Sequence, residues 1–257
     1  MKLYFRKLGH GKPLIILHGL FGLSDNWLTI GKKLSRTHQI FLPDARNHGR
    51  SPHVEHIDYP LMVEDLYEFL TDFQLREVIL IGHSMGGKTA MNFALEYPHR
   101  VEKLIIVDIS PKAYPVLHTD ILNGLLSINL TRVHSRSEAD KQLARLVPQK
   151  NVRQFLLKNL YRDETKRYSW RLNLAALNRH IDSLGSGIYS TNPKYDKPVL
   201  FLRGENSQYI LESDKELIDA IFPSARIVSI PNASHWVHYE NPSELLTKIE
   251  NFLKPVR

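Results

Sequence analysis

The chain contains no cysteine, which excludes a disulfide framework, a thiolate nucleophile and a cysteine-ligated metal, and suits a reducing compartment. Long apolar runs are missing too. The longest, such as Leu14-Ile15-Ile16-Leu17, break within a few positions, far below the roughly 18 residues a membrane span needs. The opening Met1-Lys2-Leu3-Tyr4-Phe5-Arg6-Lys7 has basic residues but neither an apolar stretch nor a small-residue cleavage site. It therefore reads as a first strand, and the expected location is cytoplasmic. Acidic charge is scarce in one place only: residues 112–195 hold 14 Lys and Arg against 6 Asp and Glu, while 20 basic and 21 acidic residues lie elsewhere. A basic region raises the question of nucleic acid. These cations are scattered among Leu, Asp and Glu without an aromatic-rich or recognition-helix pattern, so no nucleic-acid partner is expected. What is plentiful is apolar: 42% of 257 residues suffices for one sizeable core, read as one domain with an insertion.

Short apolar runs alternate with helical patterns through the first half, which predicts α/β architecture: a mostly parallel central sheet of about seven strands flanked by helices. The strands are expected at 2–8, 13–18, 38–43, 77–82, 103–109, 198–203 and 225–230. Most are near-continuous Leu, Ile, Val and Phe, as befits strands covered on both faces. Leu66, Phe69, Leu70 and Phe73 recur at helical spacing, as do Leu245, Leu246, Ile249, Phe252 and Leu253; both series predict helices lying on the sheet. The second should start at Asn241-Pro242-Ser243-Glu244, with Asn as N-cap and Glu completing a capping box. Residues 112–195 interrupt the alternation. Helical stretches at 138–147, 151–160 and 169–184, no strong strand, and a boundary at Gly185-Ser186-Gly187 and Asn192-Pro193 predict a helical cap inserted in a core made of residues 1–111 and 196–257.

The chemistry centres on Gly82-His83-Ser84-Met85-Gly86-Gly87, between the apolar run 78–81 and a helix-compatible segment from Lys88. This is G-x-S-x-G at a strand-to-helix turn, where a Cβ at either motif glycine would strike neighbouring backbone. Ser84 would project above the sheet. The helix N-terminus and the Met85 amide would then face the oxyanion formed in acyl transfer. A second amide could come from Leu20 in His18-Gly19-Leu20-Phe21-Gly22. The base is expected at His235, in the loop after the last strand, with His238 its neighbour and competitor. A carboxylate must orient that base, and two places offer one: Asp108 at the end of the strand 103–109, and Glu205 in Arg203-Gly204-Glu205-Asn206-Ser207. The order Ser84, Asp108, His235 is the Ser…Asp…His order of one known triad arrangement.

Two rival readings share these residues. Gly82 to Gly87-Lys88-Thr89 is formally a P-loop, and Leu104-Ile105-Ile106-Val107-Asp108 could pass for the acidic strand of a nucleotide hydrolase. That reading leaves the remaining motifs unexplained. His48, His53 and His56 could suggest a metal, but Gly49, Pro52 and Glu55 between them give no regular ligand geometry, so a structural loop bordering the pocket is expected. Phe155, Leu156, Leu160, Trp170 and Leu174 could line an acyl pocket, although apolar residues at helical spacing are more often core.

Taken together, His18-Gly19-Leu20-Phe21-Gly22 with Asn26-Trp27, Asp44-Ala45-Arg46-Asn47-His48-Gly49-Arg50-Ser51-Pro52, Gly82 to Lys88, Val107-Asp108-Ile109-Ser110-Pro111 and Ser234-His235-Trp236 make nearly the whole chain similar to the α/β-hydrolases. Within that fold it resembles the small intracellular acyl esterases and thioesterases of bacteria, which have relatives in mitochondria. The resemblance implies Ser84 as nucleophile, His235 as base, the Leu20 and Met85 amides as oxyanion hole, and residues 112–195 as a helical lid. In that subfamily a lysine commonly follows the elbow glycines, so Lys88 needs no nucleotide. One departure matters: many α/β-hydrolases carry the acid where this chain has Ser207, which makes Asp108 the expected acid and Glu205 the reserve. The implied reaction is hydrolysis of carboxylic esters or acyl thioesters of small to medium chain length through a covalent acyl-enzyme, with no metal or organic cofactor. Carbon–carbon bond hydrolases and cofactor-free haloperoxidases share the triad. A binding protein on the same scaffold is the non-catalytic alternative. The basic insertion would suit an anionic leaving group such as coenzyme A, or an acidic lipid, although a solvated surface is the ordinary reading.

Overall fold

Strand after strand in this chain is apolar on both faces, and such strands need cover from two layers of helix. A computed structural model describes residues 1–115, 119–192 and 194–254; Pro193, half of the expected Asn192-Pro193 boundary, lies outside them. The first half runs β1 (Phe5–Leu8), β2 (Lys12–Leu17), α1 (Leu28–Leu34), β3 (His38–Pro43), α2 (Tyr59–Asp72), β4 (Val78–His83), α3 (Met85–Glu96) and β5 (Val101–Val107). The intervening segment holds α4 (Thr119–Leu126), α5 (Arg136–Leu143), α6 (Lys150–Leu156), β6 (Leu160–Arg162), β7 (Tyr168–Trp170), α7 (Leu174–Arg179) and α8 (Ile181–Gly185). The chain returns through β8 (Val199–Gly204), α9 (Lys215–Ile221), β9 (Ala225–Ile230), α10 (Val237–Glu240) and α11 (Pro242–Leu253).

Seven strands form the central sheet in the order β1-β3-β2-β4-β5-β8-β9. Only β1 is antiparallel, pairing with β3 at the edge. β4 lies between β2 and β5 and is buried along its whole length, which explains its unbroken Val-Ile-Leu-Ile. From β2 the chain crosses first to β3 and then back to β4 on the other side. The carboxyl ends of β2 and β4 therefore flank a topological switch point, where open α/β sheets present their ligand sites. His18-Gly19 follows one end and Ser84 the other.

The expected helices cover the sheet. α2 opens on Asp58, whose carboxylate accepts from the Leu61 amide at 2.8 Å, and it buries Leu66, Phe69 and Leu70 while Phe73 packs edge-on against Phe5. α11 opens on Asn241, whose side chain accepts from the Glu244 amide at 3.2 Å. The reciprocal half of the capping box does not form. The Asn241 amide is already held by the Val237 carbonyl, and Glu244 pairs with Lys248 instead.

The segment between β5 and β8 departs from an all-helical expectation. Helix ends within 151–160 as α6 gives way to a 3₁₀ turn, and β6 pairs with β7 as an antiparallel hairpin. Asp163 makes the turn: its Oδ1 accepts from the Thr165 and Arg167 amides, with Lys166 at φ 62°. Local side-chain acceptors thus outbid the helix here. The expected helix 169–184 starts afresh at Asn173, which caps α7, and divides at His180 before α8.

Candidate active site

A single residue, Ser84, separates β4 from α3, at φ 51° and ψ −118°. A non-glycine residue holds that backbone only where its surroundings over-determine it. Here the Ser84 amide is pinned to the Val107 carbonyl at 3.1 Å, and the two motif glycines let the turn close. A Cβ on Gly82 would meet the Gly86 carbonyl oxygen at 2.3 Å, and one on Gly86 would meet the carbonyl oxygens of Leu17 and His18 at 2.4 and 2.6 Å. Both obstacles are backbone, so neither can swing away. Gly86→Ala is accordingly expected to push the 17–20 backbone outward, with destabilisation of about 1–3 kcal/mol or more. Thermal unfolding and ester turnover measured on the same sample check this; an unchanged Tm with unchanged kcat would contradict it.

Asp108 follows β5 and is fully buried, at φ 52°. Its Oδ1 accepts from the Gly204 amide at 2.8 Å, and its Oδ2 accepts from the Ser207 hydroxyl. The same Oδ2 faces His235 Nδ1 at 2.8 Å, and His235 Nε2 faces Ser84 Oγ at 3.0 Å. Three side chains expected from the sequence thus meet in one line, carboxylate to imidazole to hydroxyl. Because the carboxylate accepts at Nδ1, the neutral ring leaves Nε2 free to take the serine proton. Glu205 is not part of this line: its carboxylate accepts from the Asn232 amide on the exposed side of the loop. Ser207, in the place where an acid stands in many such folds, donates to Asp108 instead.

The amides of Leu20 and Met85 have no acceptor among the described residues. The turn that presents Leu20 is held by two buried histidines. His18 accepts from the Ala45 amide at Nε2 (2.9 Å) and donates from Nδ1 to the Gly19 carbonyl. His48 accepts from the Phe21 amide at Nε2 (3.2 Å) and donates from Nδ1 to the Arg46 carbonyl. Burial lowers both, His48 to about 3, so both are neutral. The loop 44–52 was expected to border the pocket; it buttresses the Leu20 turn instead. Asp44 organises that loop, accepting from the Ser24 amide at 2.6 Å and the Arg50 amide at 2.9 Å. With both ring nitrogens of His48 engaged, and no group of three or more ligand side chains suited to a metal among the described residues, the histidines here serve as hydrogen-bond struts.

The profile of the family described as "alpha/beta hydrolase fold" matches residues 12–242. The chain belongs to that family. This α/β hydrolase is 41% identical over 256 residues to an sn-1-specific diacylglycerol lipase, ABHD11, of Danio rerio, covering 96% of the chain and 80% of the relative. It is 34% identical to the esterase YbfF of Escherichia coli, covering 95% and 94%. Among solved structures it superposes on a marine microorganism esterase with a TM-score of 0.96 at 44% identity, covering 98% and 99% of the two chains.

In this α/β hydrolase a narrow cavity of about 50 Å³ opens beside Ser84, walled by Leu20, Met85 and Ile109 and, from the segment that follows β5, by Tyr114, Ile181 and Leu184. Phe155, Leu156, Leu160, Trp170 and Leu174 do not line it. They belong to a hydrophobic cluster that packs the segment between β5 and β8 against Leu20, Phe21, Met62 and Met85, and Phe155 packs on Trp236, from the loop after β9, at 4.2 Å. Lys88 belongs to the cavity wall, one helical turn beyond Ser84. Burial first, and Lys112 second, push it down to about 7, while carbonyl oxygens surround its ammonium. The P-loop reading finds no phosphate cradle, because the Gly82–Gly86 turn closes on itself and Lys88 is spent inside the protein. His238, the competing base, is stacked on Trp27 at 4.8 Å and lowered to about 3 by burial first and by its neighbour His235 second. Two residues at the site went unassigned in the sequence. Tyr209 stacks on the His235 ring at 3.7 Å. His83, lowered well below its usual range by burial, donates from Nε2 to the His235 carbonyl at 2.9 Å. His83 was visible as the x before Ser84; Tyr209 had no sequence signal.

Proposed function

We propose that this α/β hydrolase cleaves carboxylic esters, and acyl thioesters of small to medium chain length, with Ser84 as nucleophile. The observation that carries the proposal is the alignment of Ser84 Oγ, His235 and Asp108 at 3.0 and 2.8 Å beside two unpaired amides. Ser84 Oγ attacks the acyl carbonyl carbon as His235 Nε2 takes its proton. The oxygen that becomes anionic turns toward the Leu20 and Met85 amides and the positive end of α3. Each such donor is worth about 10²–10³ in turnover. His235 then protonates the departing alkoxide or thiolate, and water, deprotonated by the same Nε2, releases the acid. Asp108 holds the ring in the tautomer that can accept and stabilises the imidazolium. The narrow apolar cavity suits a short acyl chain, and residues 112–195 act as its cap over the core 1–111 and 196–257. The relatives named as esterase and lipase support ester cleavage.

Part of the cap's basic surplus is spent inside it. Arg136 donates to the Leu157 and Leu160 carbonyls, and Arg153 pairs with Asp140 at 2.8 Å. Treatment with a fluorophosphonate, read by intact mass, is expected to add one adduct to the wild type and none to Ser84→Ala. Folded wild-type protein that takes no adduct would overturn the reading.

A further inference from the structure

We propose that Lys88 is a positioning residue that pins together the outgoing and returning passes of the cap, and through them sets the roof of the acyl cavity above Ser84. The inference rests on the ester-hydrolase reading of that cavity. Lys88 Nζ donates to the Ser186 carbonyl at 2.8 Å, to the Pro111 carbonyl at 3.4 Å and to the Lys112 carbonyl. An ammonium has three N–H groups and no acceptor, so the protonated side chain satisfies three carbonyls from two chain passes that lie some 75 residues apart in sequence. Among the described residues no carboxylate pairs with it; the nearby Asp214 is taken by Lys112 at 2.8 Å.

Around this pin the two passes run side by side. The Tyr114 amide donates to the Gly185 carbonyl at 2.8 Å, and the Ile188 amide to the Pro111 carbonyl at 3.0 Å. The cavity roof is made from the same two passes: Tyr114 comes from the outgoing one, Leu184 and Gly185 from the returning one. The Tyr59 hydroxyl, from α2, adds a second tie at the Leu184 carbonyl, 2.7 Å away. Tyr114 lies 5.2 Å beneath the Lys88 ammonium and donates to the Tyr209 carbonyl, whose ring stacks on His235. Ser84 and Lys88 stand at the N-cap and the fourth residue of one helix, so the distance between nucleophile and pin is set by α3 itself. A chain this buried and this far committed to cap carbonyls has its effect on how an acyl tail is seated, with the proton relay left to His235.

The test compares p-nitrophenyl acetate with p-nitrophenyl octanoate on wild type, Lys88→Met and Lys88→Gln, together with amide hydrogen exchange. Methionine fills the same volume without donors, and the octanoate-to-acetate ratio of kcat/KM is expected to fall at least tenfold, carried by KM. Glutamine keeps two N–H donors and should restore a third or more of the ratio. Exchange at the Tyr114 and Ile188 amides should accelerate at least tenfold in Lys88→Met, while β4 and β5 keep their protection. An unchanged ratio, or a ratio that falls equally for both variants with the Tyr114 and Ile188 amides as protected as before, would overturn the proposal. If Lys88→Met does not fold, Lys88→Gln and Tyr59→Phe, which loosens the second tie, carry the same comparison. A wild type that takes no fluorophosphonate defeats the ester reading, and the exchange data still decide the pin.

Discussion

Replacing Asp108 by asparagine is expected to lower kcat on a short-chain ester by about 10⁴, close to 5.5 kcal/mol of transition-state stabilisation, with little loss of fold. The fold survives because Asp108 sits at φ 52°, a left-handed position that asparagine tolerates nearly as well. The amide oxygen keeps the Gly204 N–H, which Oδ1 accepts at 2.8 Å. The NH₂ must then stand where Oδ2 stood, facing the Ser207 hydroxyl and His235 Nδ1. Ser207 can rotate its hydroxyl to accept. His235 can accept at Nδ1 only by carrying its proton on Nε2, and that tautomer cannot take the proton of Ser84. Chemistry is lost while packing is kept. Ser84→Ala should be lower still, by about 10⁶, because a triad without its nucleophile retains only binding and the oxyanion amides. Ser207→Ala should cost far less than Asp108→Asn, since the Gly204 amide still holds the carboxylate. Single-turnover kinetics with p-nitrophenyl butyrate, alongside thermal unfolding, check all three; an Asp108→Asn enzyme within tenfold of wild type would remove Asp108 from the relay.

Acid is expected to unfold this protein well above the pH at which carboxylates protonate. Burial is the first cause of the lowered pKa at His18, His48, His83 and His238, with His48 and His238 brought to about 3. In the unfolded chain each returns to about 6.5. Between those values the unfolded state binds more protons than the folded one, so stability is complete above about pH 6.5 and is lost as pH falls toward the folded values. Uptake of up to four protons gives a slope that approaches roughly 5 kcal/mol per pH unit, against a total stability of about 5–15 kcal/mol. The hydrogen bonds explain why the folded state refuses the proton. Nε2 of His18 and of His48 each accept a backbone N–H, from Ala45 and Phe21, and protonation would set N–H against N–H beneath the Leu20 amide. Urea unfolding at pH 8, 7, 6 and 5 should show a steep fall below 6.5. His238→Phe, which keeps an aromatic ring on Trp27, should flatten the slope by about one proton. Equal stability at pH 5 and pH 7 would contradict the neutral-histidine account.

Local patterns carried a great deal. Alternation of apolar runs with helical spacing identified the layered α/β architecture, G-x-S-x-G placed Ser84 at a strand-to-helix turn, and the chain order pointed to His235 and Asp108. Those signals reach across a few residues, because a strand, a turn and a helix start are each decided by neighbours along the chain. The hairpin β6–β7 was missed for the converse reason: its pairing depends on the Asp163 turn, while its apolar residues keep a spacing that also suits a helix.

What holds Asp108 and His235 in place, and what the remaining polar residues do, was left to the tertiary structure. Gly204 and Ser207 reach Asp108 from positions 96 and 99 residues away, and His235 meets Ser84 across 151. Those meetings follow from β5 lying between β4 and β8, an arrangement of strand neighbours that sequence spacing does not encode. Tyr209 against the His235 ring, His83 under its carbonyl, and Lys88 between two passes of the chain belong to the same class. Each is a polar or aromatic group whose partner is chosen by burial: once water is gone, a donor must take whatever acceptor the packed chain brings within 3 Å or so, and only the folded chain decides which that is.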